Sequence, residues 1–444
     1  MSYTSLNEKS ILYVGQAYYY HWYLSRELRK LGWKADQLNI DRSEDQRFYH
    51  GQDFNFFEKQ FKKRWQRLEF YLNALNDYEI FHFANKEGIR FIMDYDLNKC
   101  KVTDGFVHRL FVFIFEKILK WDIRNISRFI GIKKTSQLLS ILLLIFKNHL
   151  PYRWDILLLK KLNKRIVYSQ NGCHDGVTQT TFSNWSTPDN IPVCDICVNR
   201  NKPEICSDEN NMTWGKFRNE VADYQCTYGG NRADFNDSPL VHETPWLYCI
   251  DPDFWDPDLP VPPNNKLPFG DQTVKIYHAV GNFHSRVSNG NVTIKSTHIY
   301  IPLIEQLKAE GHDVELIFFN DVPSKQVRYY QAQADIVVDM LTYGFYGANV
   351  REGLMLGKPC VCYLRPEWLE NMRKEIPEYV DEIPVVSATP ATIKEVLIDL
   401  IMNPEKRMEI GRKSREFALK WHSSKVAAEK FDKIYSDLTN TVNA

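Results

Sequence analysis

The chain has 444 residues, a length that allows two or three domains. Its 44% hydrophobic and 25% charged residues are ordinary globular values, excluding a disordered tail, a collagen-like rod and a coiled coil. Lys plus Arg equals Asp plus Glu, 56 against 56, so no overall basic charge points to nucleic acid, and no nucleic-acid partner is expected.

The opening MSYTSLNEKSILYVG has no apolar core followed by a small-residue cleavage site, and nowhere do about 18 apolar residues run together. A cytoplasmic protein with nine reduced cysteines is the expectation. Ser10 to Gly15 (SILYVG) reads as a buried strand, and Tyr18 to Leu31 as a helix stopped by Gly32. Strand, turn and helix in that order open an α/β sheet. Tyr78 to Phe83 reads as a second buried strand, and its His82 as a structural histidine.

Lys101 to Arg165 holds 14 Lys plus Arg against 4 Asp plus Glu, so it carries +10 and the rest of the chain −10. The same segment is rich in Phe, Ile and Leu at helical spacing. Two readings stand: core-packed helices with a solvated basic face, or amphipathic helices making peripheral contact with an anionic membrane. Arg165 to Ser169 is a further strand, and it runs into Cys173-His174-Asp175. Open α/β sheets place ligands at strand ends, so His174 and Asp175 are candidates for holding a hydroxyl or moving a proton. A packed His and a turn-forming Asp are the alternative.

Cys194-x2-Cys197-x8-Cys206 follows, with Cys226 after nineteen intervening residues. A C-x2-C pair presents two thiolates to a tetrahedral Zn2+, and Cys226 or Cys173 would complete the set with Cys206. Free thiols or a redox pair are the alternatives to a structural zinc. Between Cys249 and Gly270 there are six prolines, a stiff connector that sets a domain boundary at 255/256. Beyond it, strands are expected at Val274–Val280, Val314–Phe319, Asp335–Asp339 and Pro359–Leu364. Helices are expected at Tyr300–Glu310, Ala348–Leu356, Thr392–Met402 and over most of Glu405–Asp437. Residues 1–255 and 256–444 thus read as two doubly wound, Rossmann-like α/β domains facing a cleft.

The densest signal is ADIVVDMLTYGFYGANVREGLMLGKPCVCYL, from Ala334 to Leu364. Gly344 and Gly347 punctuate the loop between a strand and a helix whose start offers unpaired N–H groups, a seat for a diphosphate. Tyr346 lies in that loop, and Glu352 one turn into the helix could accept hydrogen bonds from hydroxyls.

This stretch resembles the donor-binding segment of the glycosyltransferase group 1 (family 4) enzymes of GT-B fold, which show E-x7-E followed by G-K-P. Glu352 matches the second glutamate and Gly357-Lys358-Pro359 the tripeptide, while Gly344 stands where the first glutamate would be. The resemblance runs from Val274 to Tyr435 and is looser before it. It implies that Arg286 and Lys295 neutralise the donor's diphosphate, with Lys295-Ser296-Thr297 similar to the family's Lys-Gly-Thr. It also implies that 256–444 binds a nucleoside-diphosphate sugar and that 1–255 takes a glycan or lipid-linked acceptor. The implied chemistry is retaining transfer in surface-polysaccharide assembly, with no metal or other cofactor in the reaction. A nucleotide-sugar epimerase of the same architecture and a non-catalytic glycan-binding relative stay open beside it.

Overall fold

The structure, a computed structural model, describes residues 9–15, 19–40, 50–84, 131–145, 154–170, 172–173, 175–185, 187–228, 232–281, 283–287, 292–319 and 322–440. Two parallel-stranded sheets organise the chain. The first contains β1 (Ser10–Val14), β2 (Lys34–Asn39), β3 (Phe54–Asn55), β4 (Ile80–Phe83), β5 (Arg165–Ser169), β6 (Tyr224–Thr227) and β7 (Val241–Glu243), in the order β3-β2-β1-β4-β5-β6-β7. The pairings among β1 to β5 are all parallel. The second contains β8 (Val274–His278), β9 (Val314–Phe318), β10 (Ile336–Val338), β11 (Cys360–Cys362) and β12 (Val386–Ser387), in the order β12-β11-β10-β8-β9. It too is parallel throughout.

The chain packs into two compact units. One takes its residues from Met1–Asn171, Phe217–Gln225 and Phe431–Ala444, the other from Gly172–Lys216 and Cys226–Lys430. The proline-rich connector lies within the second unit's share of the chain.

In the first unit, SILYV is buried at every position, as a strand covered on both faces requires. The helix Tyr20–Lys30 follows and ends just before Gly32, as expected. His82 is fully buried, with Nδ1 2.7 Å from the Tyr435 hydroxyl and Nε2 2.7 Å from Ser169 Oγ. Both ring nitrogens are thus satisfied, which is the structural role read from the sequence. Of the basic, apolar segment, residues 131–145 and 154–165 are described, with the helices Ile132–Ile145 and Trp154–Lys161 and the start of β5; 101–130 and 146–153 lie outside the described residues. Among the described residues no helix is long and apolar enough to cross a membrane.

The second unit centres on an apolar core in which Val274, Ile276, Val314, Ile336, Val338 and Val361 of the sheet meet Tyr300, Ile304, Leu397 and Leu400 of flanking helices. Each element expected beyond the connector is observed within a few residues, while the helices Ser324–Ala332, Pro366–Glu375 and Pro377–Glu382 and the strand β12 were not expected. The helix expected from Tyr300 begins at Thr297, because Ser296 turns the chain into it. The C-terminal stretch forms two helices, Pro404–Trp421 and Ser424–Asn440.

Candidate functional site

β8 runs next to β10 on one side and β9 on the other, so the winding direction reverses between β8 and β10. In open parallel sheets, ligands bind outside the carboxyl ends of the strands at such a switch point. Three segments converge there. Lys295-Ser296 leads into the helix Thr297–Ala309, Asp339 follows β10 directly, and the glycine loop leads into the helix Ala348–Met355.

Asp339 ties them together. Its side chain is fully buried; Oδ1 accepts from Lys295 Nζ at 2.7 Å and Oδ2 from the Gly347 N–H at 3.1 Å. The Tyr300 hydroxyl donates to the Asp339 carbonyl at 2.6 Å. A buried carboxylate survives in its charged form only when paired and hydrogen-bonded, and here a cation and a loop N–H supply those partners. Nothing in the sequence pairs Lys295 with Asp339, since the two stand 44 residues apart.

Ser296 carries its own signature. It adopts φ +64°, a left-handed conformation that costs a non-glycine residue about 1–3 kcal/mol. Glycine is the natural occupant of that conformation, as in the Lys-Gly-Thr that this segment resembles. Ser296 Oγ offsets part of the cost by accepting from the Leu341 N–H at 3.0 Å, which fastens the segment to the stretch after β10. Next to it Thr297 Oγ1 lies 2.8 Å from Nε2 of His278 at the end of β8. Burial pushes the His278 pKa down to about 4, against the opposing pull of the Asp339 charge, so this ring is neutral near pH 7.

The glycine loop is shaped by close approach. Gly347 caps the helix Ala348–Met355 without any side-chain cap on its first N–H groups, and a Cβ on Gly347 would stand 2.8 Å from Lys295 Nζ. Gly344 has φ +99°, and a Cβ there would stand 2.7 Å from Arg365 Cβ. No side chain fits at Gly344, so the glutamate of the resembled motif has no counterpart at this position. Glu352 is buried on the helix, and its Oε2 accepts from Gln331 Nε2 at 2.8 Å.

Lys295, Gly344, Gly347 and Glu352 therefore belong to one loop-and-helix assembly. The other expected residues sit differently. Arg286 is half-buried at the end of the four-residue helix Phe283–Arg286 and makes no hydrogen bond to the described residues. Tyr346 points into the core. Its hydroxyl bonds the Tyr379 hydroxyl and lies 2.9 Å from Nε2 of His422, whose Nδ1 is 3.0 Å from the Pro245 carbonyl. A carbonyl only accepts, so Nδ1 carries the hydrogen and Nε2 accepts from Tyr346. Asp175 is also buried and accepts from Trp214 Nε1 at 2.7 Å. His174 lies outside the described residues.

The cysteines divide. Cys173, Cys194, Cys197 and Cys206 feel one another electrostatically; burial, then the neighbouring thiols, pushes the Cys173 thiol up to about 12. Cys226 is instead buried on β6, where burial pushes its thiol up and a hydrogen bond with Thr244 opposes this. Of the two candidates for the fourth thiol, Cys226 is carried by its strand into a different environment, while Cys173 lies with Cys194, Cys197 and Cys206. Among the described residues no group of three or more His, Cys, Asp and Glu is arranged to hold a metal ion. Cys173 and Cys194 instead pack with Phe182, Met340 and Tyr343 in a small apolar cluster beside the glycine loop.

Arg365, which sequence reasoning missed, follows β11 at the edge of this assembly. Its N–H donates to the Gly344 carbonyl at 2.8 Å, and its guanidinium stacks on Trp185 with 3.9 Å to the ring centroid. No spacing rule marks an arginine after a strand as buried.

No family model matches the chain, and no curated protein matches it in sequence. Solved structures do. A glycosyltransferase of Rickettsia africae matches with a TM-score of 0.52 at 10% identity, covering 97% of this chain and 99% of its own. A sucrose-phosphate synthase of Thermosynechococcus elongatus matches at 0.51 and 11% identity, with the same coverage of both chains. HepE of Anabaena, solved in complex with UDP and glucose, matches at 0.51 and 11% identity, covering 96% of this chain and 99% of its own. At such identities the likeness is one of fold, and it agrees with the two parallel sheets and their flanking helices: the chain has the GT-B fold.

Proposed function

We propose that the chain is a glycosyltransferase that takes a sugar from a nucleoside-diphosphate sugar, with residues 256–444 as the donor-binding half and 1–255 as the acceptor half. The observation that carries this reading is the junction of Lys295, Asp339 and the loop 344–347 at the switch point of the second sheet. A cation beside uncapped helix N–H groups stabilises a departing diphosphate as charge develops on it. That HepE was solved with UDP and glucose supports the same class of ligand. Retention of configuration, a glycan or lipid-linked acceptor and a place in surface-polysaccharide assembly complete the proposal.

Peripheral membrane contact is proposed with it. The helix Ile132–Ile145 exposes Leu138 (49%) and Ile141 (57%), which follow the exposed Lys134 at four- and seven-residue spacing and so share its face. Apolar and basic groups on one face favour an anionic lipid surface.

The test has two steps. Uridine, guanosine and adenosine diphosphates are screened for a rise in melting temperature, since a ligand stabilises by mass action. Transfer from the matching nucleotide sugar is then measured for the wild type, Lys295→Ala and Glu352→Gln, with folding checked by circular dichroism. Loss of transfer in both folded variants is expected, and unchanged turnover in both overturns the proposal. One observation favours a second reading, a binding protein without turnover: Gly344 leaves no room for the first acid of the resembled motif. Tight donor binding with no transfer to any acceptor would select it.

A further inference from the structure

Arg365 is 2% exposed, yet Nε, Nη1 and Nη2 have no hydrogen-bond partner among the described residues. Its nearest carboxylate oxygen, Glu367 Oε2, is 3.8 Å from Nε on a side chain 63% exposed, which is an ion pair without a hydrogen bond. Trp185 covers one face of the guanidinium. Stacking satisfies a face and leaves the edge, where all five N–H donors lie, without acceptors. A buried charged group with unmade hydrogen bonds is costly, so a folded chain keeps one where something else completes it.

The location indicates what that is. Arg365 and Lys295 bracket the loop 344–347: a Cβ on Gly344 would lie 3.5 Å from Arg365 Nη1, and one on Gly347 would lie 2.8 Å from Lys295 Nζ. Lys295 is already neutralised by the fully buried Asp339, whereas Arg365 has only the distant, solvated Glu367. Arg365 is thus the less compensated cation at the loop, and its planar fork matches a planar or tetrahedral oxyanion.

We propose that Arg365 is a binding residue for an oxyanion of the bound nucleotide sugar, either the distal phosphate of the diphosphate or a carboxylate carried by the sugar. This rests on the donor-site reading above.

The experiment uses the full chain. Dissociation constants are measured for the best-binding nucleoside diphosphate, for its ester with a neutral hexose and for its ester with a uronic acid. Wild type, Arg365→Gln and Arg365→Lys are compared. A fall in affinity of about tenfold or more for all three ligands in Arg365→Gln assigns the phosphate. The same fall confined to the uronic-acid ester assigns the carboxylate. Arg365→Lys recovers part of the loss in either case. The ligand-free melting temperature of Arg365→Gln is expected not to fall, because the guanidinium makes no hydrogen bond to the described residues and the backbone N–H bond to Gly344 is kept in the variant. A lowered melting temperature together with affinities within twofold of wild type assigns Arg365 to structure and overturns the inference alone. A wild-type chain that binds none of the nucleoside diphosphates overturns the donor-site reading, and the inference with it.

Discussion

Replacing Gly344 by alanine probes the packing at the centre of the site. At φ +99° an L-residue is strained, by about 1–3 kcal/mol. The new Cβ would also lie 2.7 Å from Arg365 Cβ, the rigid root of a buried side chain, so one of the two must shift. Overpacking of this kind costs a further ~1–3 kcal/mol, giving roughly 2–6 kcal/mol together. Gly311 supplies the control. It has φ +94° and nothing within 4 Å of its Cβ position, so Gly311→Ala meets the backbone strain alone. The excess of Gly344→Ala over Gly311→Ala isolates the contact with Arg365. Both lie in a unit of roughly 250 residues, for which each kcal/mol lowers the melting temperature by about 2–4 °C. Scanning calorimetry should therefore show Gly344→Ala melting about 2–12 °C below Gly311→Ala in the second unit's transition. Equal shifts would mean that Arg365 does not pack against Gly344.

Three further outcomes are expected. Burial holds His278 and His422 neutral, with pKa values pushed down to about 4 and about 3; above pH 6.5 they do not affect stability, but below it the unfolded chain takes up protons that the folded chain refuses. Denaturation between pH 6.5 and 4 should show stability falling by up to about 1.4 kcal/mol per pH unit for each histidine, and a His422→Gln variant with an unchanged slope would refute the assignment to His422. Sedimentation with anionic liposomes at low salt should pellet the chain, and Lys133→Glu with Lys134→Glu should weaken binding by at least about 2 kcal/mol, roughly thirtyfold; a wild type that stays in the supernatant refutes the membrane contact. In elemental analysis, any zinc the chain carries should be lost in Cys173→Ser and kept in Cys226→Ser, since Cys173 and not Cys226 shares the neighbourhood of Cys194, Cys197 and Cys206; the reverse pattern refutes that grouping.

Much of the second unit was legible because its strands are apolar runs cut by turn residues and its helices stop at glycine, as at Gly311 and Gly357. The glycine loop was legible from its residue types and spacing, and Lys295 from the resemblance of Lys295-Ser296-Thr297 to the family's Lys-Gly-Thr. What joins them was not: Asp339 reads as the polar end of a strand, and only parallel pairing of β8 with β10 brings it to Lys295. Tyr346 misled because a tyrosine in a glycine loop looks available, while its partners Tyr379 and His422 come from 33 and 76 residues further along. Cys226 misled because spacing counts residues along the chain and takes no account of the strand that removes one thiol from the others.

The salt link between Lys295 and Asp339 also bears on turnover. Any phosphate that claims the lysine must compete with a resident anion already in contact with it, so part of the attraction is surrendered on arrival. The same resident anion is at hand to reclaim the lysine when the spent nucleotide departs. Under the proposed reaction, Asp339 is a built-in competitor that trades grip for speed, weakening the hold on substrate and product alike while keeping the loop in place between cycles.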